Sequence, residues 1–546
     1  MTGRNSRIAG ALLALTLLGF FGVPGHTFLQ SDTQIYIPIF ERLENPDLYQ
    51  GDFLMTASHV SLTVYDETAL ALRRLTHATF QSVLAAEQIL FRALALWGVF
   101  LIATALGLSD AAALLLAACY GIGATIVGPA VLSVEYEPVP RGFAVAFLLL
   151  ATGLLMQGRY TWACAAASLG VLYHVPSTGP FWILFGMIVI RERRWRSLWP
   201  AAPALICLAA TFLVQRNQMR PQPFFTLVDP EWEQIIHMRA AYDWISNWPA
   251  GSILAFLFCA ALSLAALWRI RDQTNLTQRI LLAGFPLIGL ASIALSWLLL
   301  DLGRWALIAQ VQPARAALFT IVFAQINCGL AALFALKNTR WAEAFAWFIP
   351  VFLPATMPLF FHGTSAQLLV AGLLAMLATL AIVKARWLAA PAIALAATWA
   401  IPALAHTINY QPLHTPELDQ LSEWARTSTS EHALFVFPVS GRNLDQGVFR
   451  AKSLRGLYAD WKAGGQVNYF RDFALEWHKR WQELSSGTLT PDDWRACGVN
   501  YLIYAGPECP VGQASACAEL QLRQNTKPVF ENARYRAYQL ANRNAQ

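Results

Sequence analysis

Apolar runs long enough to cross the roughly 30 Å hydrocarbon core of a bilayer follow one another along most of this chain, and no other feature limits its fold as strongly. About thirteen can be read, beginning near Ile8, Ala93, Ala111, Gly142, Thr161, Gly179, Ala201, Gly251, Ile280, Ala316, Ala344, Ala366 and Leu388. Hydrophobic residues make up 56% of the 546 and charged residues 13%, about half the roughly 25% charge of soluble domains. The fold expected is a polytopic α-helical membrane protein.

Basic residues fix the orientation. Arg4 and Arg7, Arg159, the Arg191 to Arg196 cluster, Arg269 with Arg271 and Arg279, Lys337 with Arg340, and Lys384 with Arg386 all fall between alternate runs, so they share one face. That face is expected to be cytoplasmic, with the N-terminus inside and the C-terminus outside. The first run is short and follows a basic stretch, as in a cleaved signal peptide, but Phe21 to Thr27 holds no A-x-A-like site.

The net charge of +6 resides mostly in these loops and calls for no nucleic-acid partner. Phosphate-binding loops of the Gly-x-x-x-x-Gly-Lys or Gly-x-Gly-x-x-Gly type are absent from the sequence, which argues against ATP-driven transport. Of eight cysteines, Cys119, Cys164, Cys207, Cys259 and Cys328 lie inside apolar runs and read as small core residues. Cys509 and Cys517 enclose a short Pro/Gly/Ser/Ala loop in the external part and favour a disulfide, leaving Cys497 as a buried odd thiol; zinc is the weaker alternative.

Polar residues gather in four segments expected outside. The first, about 24–88, contains Asp32, Tyr36, Asp47 and Asp52, with Ile35 to Phe40 as an amphipathic stretch. A carboxylate held at a bilayer surface beside a polyhelical cavity is a natural base for chemistry on a lipid-linked substrate, and Asp32 is placed for it. The second segment, Ser133 to Arg141, adds Glu135, Glu137 and Arg141; Arg141 reads either as a site residue or as a snorkelling cap. His174 marks the outer end of the fifth run, as a donor to phosphate or metal or as a satisfied interfacial histidine. The third, Arg216 to Asn247, carries no assigned chemistry, and Trp232, Trp244 and Trp248 suit an interfacial belt. In the fourth, Asp301 to Arg315, Arg315 stands at the membrane boundary, where an unpaired charge costs roughly 2 to 3 kcal/mol. Its partner is expected to be a lipid phosphate or, alternatively, Asp301.

From His406 the composition changes, dividing the chain into residues 1–405 in the membrane and 406–546 as an extracytoplasmic α/β domain. Capped helices start at Thr415 and Thr490, another covers Phe470 to Glu483, strands cover Ala433 to Phe437 and Asn500 to Tyr504, and a hairpin turns around Asn532. Phe449 to Lys462, with Arg450, Arg455 and Lys462, reads as a sugar-holding cluster or as a solvated strand edge.

Together Ser31-Asp32-Thr-Gln-Ile-Tyr36, Leu48-Tyr-Gln-Gly-Asp52, Glu137-Pro-Val-Pro-Arg141, Tyr173-His174-Val-Pro176, Gln312-Pro-Ala-Arg315 and the Phe449 to Lys462 stretch give a chain that resembles the GT-C superfamily of membrane glycosyltransferases, in particular uncharacterised bacterial multi-pass members. The sequence departs from better-understood relatives at one point: they carry two adjacent acids in the first loop, and here Thr33 follows Asp32.

The resemblance implies an enzyme of the bacterial inner membrane that moves a sugar from a polyprenyl-phosphate donor to an acceptor hydroxyl of unknown identity on the outer face. It implies inversion, with Asp32 as general base. Arg315, Arg304, His174 and Arg141 would neutralise the donor phosphate, Asp52 and Glu137 would bind the acceptor or a divalent cation, and Tyr36, Arg450, Arg455 and Lys462 would touch sugar or lipid. A transporter and a non-catalytic scaffold of envelope assembly are the rival readings.

Overall fold

The computed structural model describes residues 3–56, 63–215, 223–352, 410–506 and 526–540, with Ala392, Ala396, Glu519 and Leu522. The apolar runs beginning near Ala366 and Leu388, and the Cys509/Cys517 pair, lie outside the described residues. Helices α1 (Gly3–Phe21), α5 (Phe80–Ala105), α6 (Asp110–Gly121), α7 (Pro140–Met156), α8 (Tyr160–Tyr173), α9 (Val175–Glu192), α10 (Ala201–Gln215), α12 (Ala250–Arg269), α13 (Leu276–Ser296), α15 (Leu318–Lys337) and α16 (Trp341–Phe352) build the apolar bundle. Among the described residues, five helical stretches are long and apolar enough to cross a membrane: Phe80–Ala105, Trp195–Leu213, Ala250–Arg269, Leu276–Leu302 and Pro313–Lys337. The second run begins earlier than expected, because α5 starts at Phe80 and carries Glu87, Gln88 and Arg92 buried in its first half.

The bundle is built around α15, where every residue from Leu318 to Leu336 is buried. A helix apolar on all sides has to be packed on all sides. Its two amides donate inside: Asn327 Nδ2 to Ser263 Oγ of α12 at 2.8 Å and to the Leu282 carbonyl of α13 at 2.9 Å, and Gln325 Nε2 to the Val351 carbonyl at 3.1 Å. Small residues let α5 and α7 meet backbone to backbone. A Cβ on Gly98 would stand 2.3 Å from the Leu149 carbonyl carbon, and one on Gly153 would stand 2.5 Å from the Gly98 oxygen.

The loop after α1 carries α2 (Thr33–Glu44), α3 (Phe53–Thr56) and α4 (Tyr65–Thr76). Between α10 and α12 lies α11 (Pro230–Arg239), capped by Asp229, which accepts from the Trp232 amide at 3.1 Å. Trp232, Trp244 and Trp248 are buried there, so they do not form the expected interfacial belt; the Trp232 indole donates to the Val467 carbonyl at 2.7 Å. Between α13 and α15 sit α14 (Ala306–Val311) and a 3₁₀ turn, Pro313–Ala317.

The described residues between 416 and 540 form an α/β unit. Its sheet has the order β4-β3-β5-β7-β6, formed by β3 (Leu434–Val436), β4 (Gly456–Leu457), β5 (Tyr501–Ala505), β6 (Phe530–Glu531) and β7 (Tyr535–Gln539). A separate two-stranded ladder pairs β1 (Thr125–Ile126) with β2 (Val131–Leu132). In the larger sheet β3 runs parallel to β4 and β5, while β7 is antiparallel to β5 and β6. Helices α17 (Pro416–Ser428), α18 (Asp445–Ser453), α19 (Arg471–Ser486) and α20 (Pro491–Ala496) accompany it. Both expected caps form, Thr415 accepting from the Leu418 amide and Thr490 making a capping box with Asp493. The Phe449 to Lys462 stretch is not a solvated strand edge: it runs from α18 through β4 into a 3₁₀ turn, Lys462–Gln466, with Arg450, Arg455 and Asp460 buried. Cys497, expected buried, is exposed, and Cys207 and Cys259 are half-buried.

Candidate active site

Glu137 organises the site without facing it. Its carboxylate is buried and accepts the backbone amides of Gln30 at 3.1 Å, Ser31 at 2.9 Å, Asp32 at 3.0 Å and Thr33 at 3.1 Å, and the Thr33 hydroxyl as well. The first amides of a helix have no internal partner, and an anion there is stabilised by them and by the helix dipole. Here the cap comes from another loop, so the Asp32 side chain does not cap α2 and projects elsewhere. Thr33, which follows Asp32, turns inward to this cap.

Asp32 lies between two cations. Arg141 Nη1 donates to Oδ2 at 2.7 Å and Lys462 Nζ to Oδ1 at 2.8 Å; Lys462 also reaches Ser31 Oγ at 2.7 Å, and Arg141 Nε is held by Glu135 at 2.7 Å. Burial opposes ionisation of Asp32, but Lys462 and Arg141 outweigh it and hold the carboxyl well below the usual carboxylate range. A quarter of its side-chain surface stays accessible. A carboxylate has about four acceptor positions, and Arg141, Lys462 and Ser31 fill three. One is left for an incoming hydroxyl.

Arg315, His174 and Tyr36 share this neighbourhood. His174 Nδ1 accepts from the Ser177 amide, so the neutral ring carries its proton on Nε2, which has no partner among the described residues. Burial first, then the charges of Arg315 and Arg141, push its pKa down to about 3. Tyr36, one helical turn after Asp32, is pushed upward by burial first and then by Asp32. Arg315 projects from the 3₁₀ turn with its guanidinium 5.3 Å from the centre of the Tyr242 ring. Among the described residues it has no carboxylate within ion-pair distance, and its Nε is buried without a hydrogen bond. Asp301, the alternative partner, instead accepts the amides of Ile245 at 3.2 Å and Ser246 at 2.8 Å.

The remaining candidates lie elsewhere. Asp52 and Arg450 form a buried ion pair at 2.7 Å, with Asp460 on the other side of Arg450 at 2.9 Å. The other partners of the Asp52 carboxylate are the amides of Leu54 at 2.9 Å, Met55 at 3.3 Å and Leu457 at 2.9 Å, which with Arg450 fill its four acceptor positions. Asp52 therefore fastens the first loop to the α/β unit and has no position left for an acceptor or an ion. Arg455 is spent on the carbonyls of Arg426 and Thr429 at 2.7 and 2.9 Å. Arg304 pairs with Glu233 at 3.3 Å, half exposed, and none of its contacts reaches Asp32 or Arg315. A divalent cation does not fit here either: both carboxylates expected to hold one are fully engaged, and Asp32 faces cations. Among the described residues no group of three His, Cys, Asp or Glu side chains is arranged around a metal position.

Two contributors come from the segment 216–247, which carried no assigned chemistry. Arg239 Nε donates to the Trp461 carbonyl at 2.8 Å and its guanidinium lies 5.1 Å from the Trp461 ring, which fixes the turn that presents Lys462. Asp243 is buried and accepts from Gln312 at 3.3 Å and from Asn468. A lone carboxylate within Tyr242-Asp-Trp-Ile245 was the available signal.

No protein-family model matches the chain, and no curated protein matches it. Among solved structures it is similar to ArnT from Cupriavidus metallidurans bound to undecaprenyl phosphate, with a TM-score of 0.52 and 12% identity over 99% of this chain and 98% of that one. It is also similar to the mycobacterial arabinofuranosyltransferase AftD, with a TM-score of 0.47 and 14% identity over 98% of this chain; it spans 40% of AftD. The fold is GT-C-like.

Proposed function

We propose, from a GT-C-like fold in which a partly accessible carboxylate shares its neighbourhood with a guanidinium that has no carboxylate partner among the described residues, that the protein is an integral membrane glycosyltransferase of the bacterial inner membrane. It moves a sugar from a polyprenyl-phosphate donor to an acceptor hydroxyl on the outer face, with inversion. About thirteen membrane crossings put the N-terminus in the cytoplasm and residues 406–546 outside. The observation that carries this reading is that Asp32, which keeps one open acceptor position, and Arg315, which has no carboxylate partner among the described residues, both act on His174.

The acceptor hydroxyl binds at the free position of Asp32 and attacks the anomeric carbon. Because Asp32 is held well below the carboxylate range it is a weak base, so it takes the proton late, once bond formation has made the hydroxyl acidic. The electron pair of the breaking sugar–oxygen bond goes to the lipid phosphate. Arg315 and the Nε2 proton of neutral His174 stabilise the charge that grows there. Arg141 and Lys462 orient Asp32, and Tyr36 stands one helical turn after it.

Asp32→Asn in membranes supplied with a polyprenyl-phosphate sugar tests the base: loss of turnover by about 10²-fold or more is expected, and near wild-type turnover removes the role. Arg315→Ala is expected to weaken donor binding at normal expression, and unchanged affinity removes the phosphate site. The double clasp on Asp32 also supports a second reading, a non-catalytic scaffold. That reading requires Asp32→Asn to leave cellular function intact.

A further inference from the structure

Three segments close around one buried carboxyl beside Arg315. Asp243 belongs to the 3₁₀ turn Ala241–Asp243, Gln312 opens the turn that carries Arg315, and Asn468 comes from the α/β unit. Both amides donate to Asp243 Oδ2. Oδ1 takes no hydrogen bond among the described residues. Arg315 lies over Tyr242, the residue before Asp243, yet is not within ion-pair distance of the carboxyl.

Such an arrangement is unusual for an ionised acid. A buried carboxylate next to an unpaired guanidinium gains most by pairing with it directly. Two amide donors on one oxygen and none on the other instead suit a protonated acid that accepts at its carbonyl oxygen and donates from its hydroxyl. Burial, opposed in part by Arg315, pushes the Asp243 pKa up to about 8. The other charged or titratable groups acting in this pocket are Arg239, Tyr242, Tyr469 and Asp32.

We propose that Asp243, in its neutral form, is a second ligand of the donor phosphate: its hydroxyl donates to a phosphate oxygen while Arg315 supplies the charge, and ionisation of Asp243 expels the anion. This inference rests on the reading of Arg315 as a phosphate site. It makes affinity for a lipid phosphate fall as pH rises through about 8, because a carboxylate then faces the phosphate.

The test is equilibrium binding of undecaprenyl phosphate to the detergent-solubilised full chain at about pH 6.5 and about pH 9.5, for wild type, Asp243→Asn and Asn468→Ala. Wild type should lose about tenfold or more in affinity at the higher pH, whereas Asp243→Asn, which keeps a donor that cannot ionise, should lose much less. The phosphate's own titration is common to both proteins. Asn468→Ala removes a donor that favours ionisation, so its midpoint should move to higher pH. A wild-type affinity independent of pH, or an Asp243→Asn protein that binds more tightly at pH 6.5, overturns the proposal; tighter binding would mean that Asp243 neutralises Arg315. No binding at any pH, with Arg315→Ala indistinguishable from wild type, overturns the phosphate site itself.

Discussion

Lys462 Nζ stands 2.8 Å from Asp32 Oδ1, although 430 positions separate the two residues. The carboxylate at the start of the first loop is thus completed by the α/β unit, and Arg239 in turn holds the Lys462 turn in place. Removing the clasp should be measurable. Lys462→Met removes the strongest influence that keeps Asp32 ionised against its burial, so the acid limb of turnover should move to higher pH. A pH–rate series compared with wild type checks this, and an unmoved limb means that Lys462 has no influence on Asp32.

In the wild-type protein, neither Asp32 nor His174 should titrate in the physiological range. Asp32 lies below the carboxylate range and His174 near 3, so both keep their working forms above about pH 5, while Asp243 ionises through about 8. Turnover should be flat from about pH 5 to about pH 7 and decline above about pH 8. The stability contribution of Asp32 follows the same sign: its folded value is depressed, so the contribution is complete above about pH 4 and lost only as pH falls through the folded value. An inflection near pH 6.5 would contradict the neutral His174.

Glu137→Gln should be costly because four backbone amides and a hydroxyl point at the carboxylate, and a glutamine places an N–H against some of them. The expected loss is about 1 to 3 kcal/mol, read as a lower Tm in detergent, with turnover falling alongside it. If Tm holds and only turnover falls, Glu137 touches substrate instead of shaping the loop.

Gly98→Leu or Gly153→Leu should separate α5 from α7, since a Cβ at either site already meets backbone at 2.3 and 2.5 Å. Overpacking of this kind costs about 1 to 3 kcal/mol, and the carbonyl clash puts these positions at the upper end. Thermal unfolding of the purified variants checks this; a wild-type Tm would mean that the helices are free to spread.

Much of the site could be read from the sequence because its parts carry charge where charge is expensive. Asp32, Arg141, His174 and Arg315 stand out against apolar runs, and the structure brings them together. Glu137 and Asp52 stand out equally, yet they are consumed by backbone amides and by Arg450, since a buried acid serves a helix start or an ion pair as readily as a substrate. Sequence position does not distinguish those uses. Asp243 and Arg239 were missed because their segment reads as an aromatic interfacial stretch, whereas its tryptophans are buried against the α/β unit. The start of α5 lies earlier than the pattern suggests because Gln81, Glu87, Gln88 and Arg92 break the apolar run; Arg92 donates through Nη1 and Nη2 to the carbonyls of Gly19, Gly25 and Glu135, none of which is near it in the chain.

The ion pair between Asp52 and Arg450 has a consequence for how such a protein can be rebuilt. The drop in hydropathy near residue 406 looks like a seam at which the last part could be cut away or exchanged for that of a relative. Severed there, Asp52 keeps its negative charge in a hole shaped for a guanidinium that is gone, and Lys462 is lost from Asp32 in the same stroke. A chimera joined at that seam works only if the incoming piece brings its own arginine and lysine to those two aspartates.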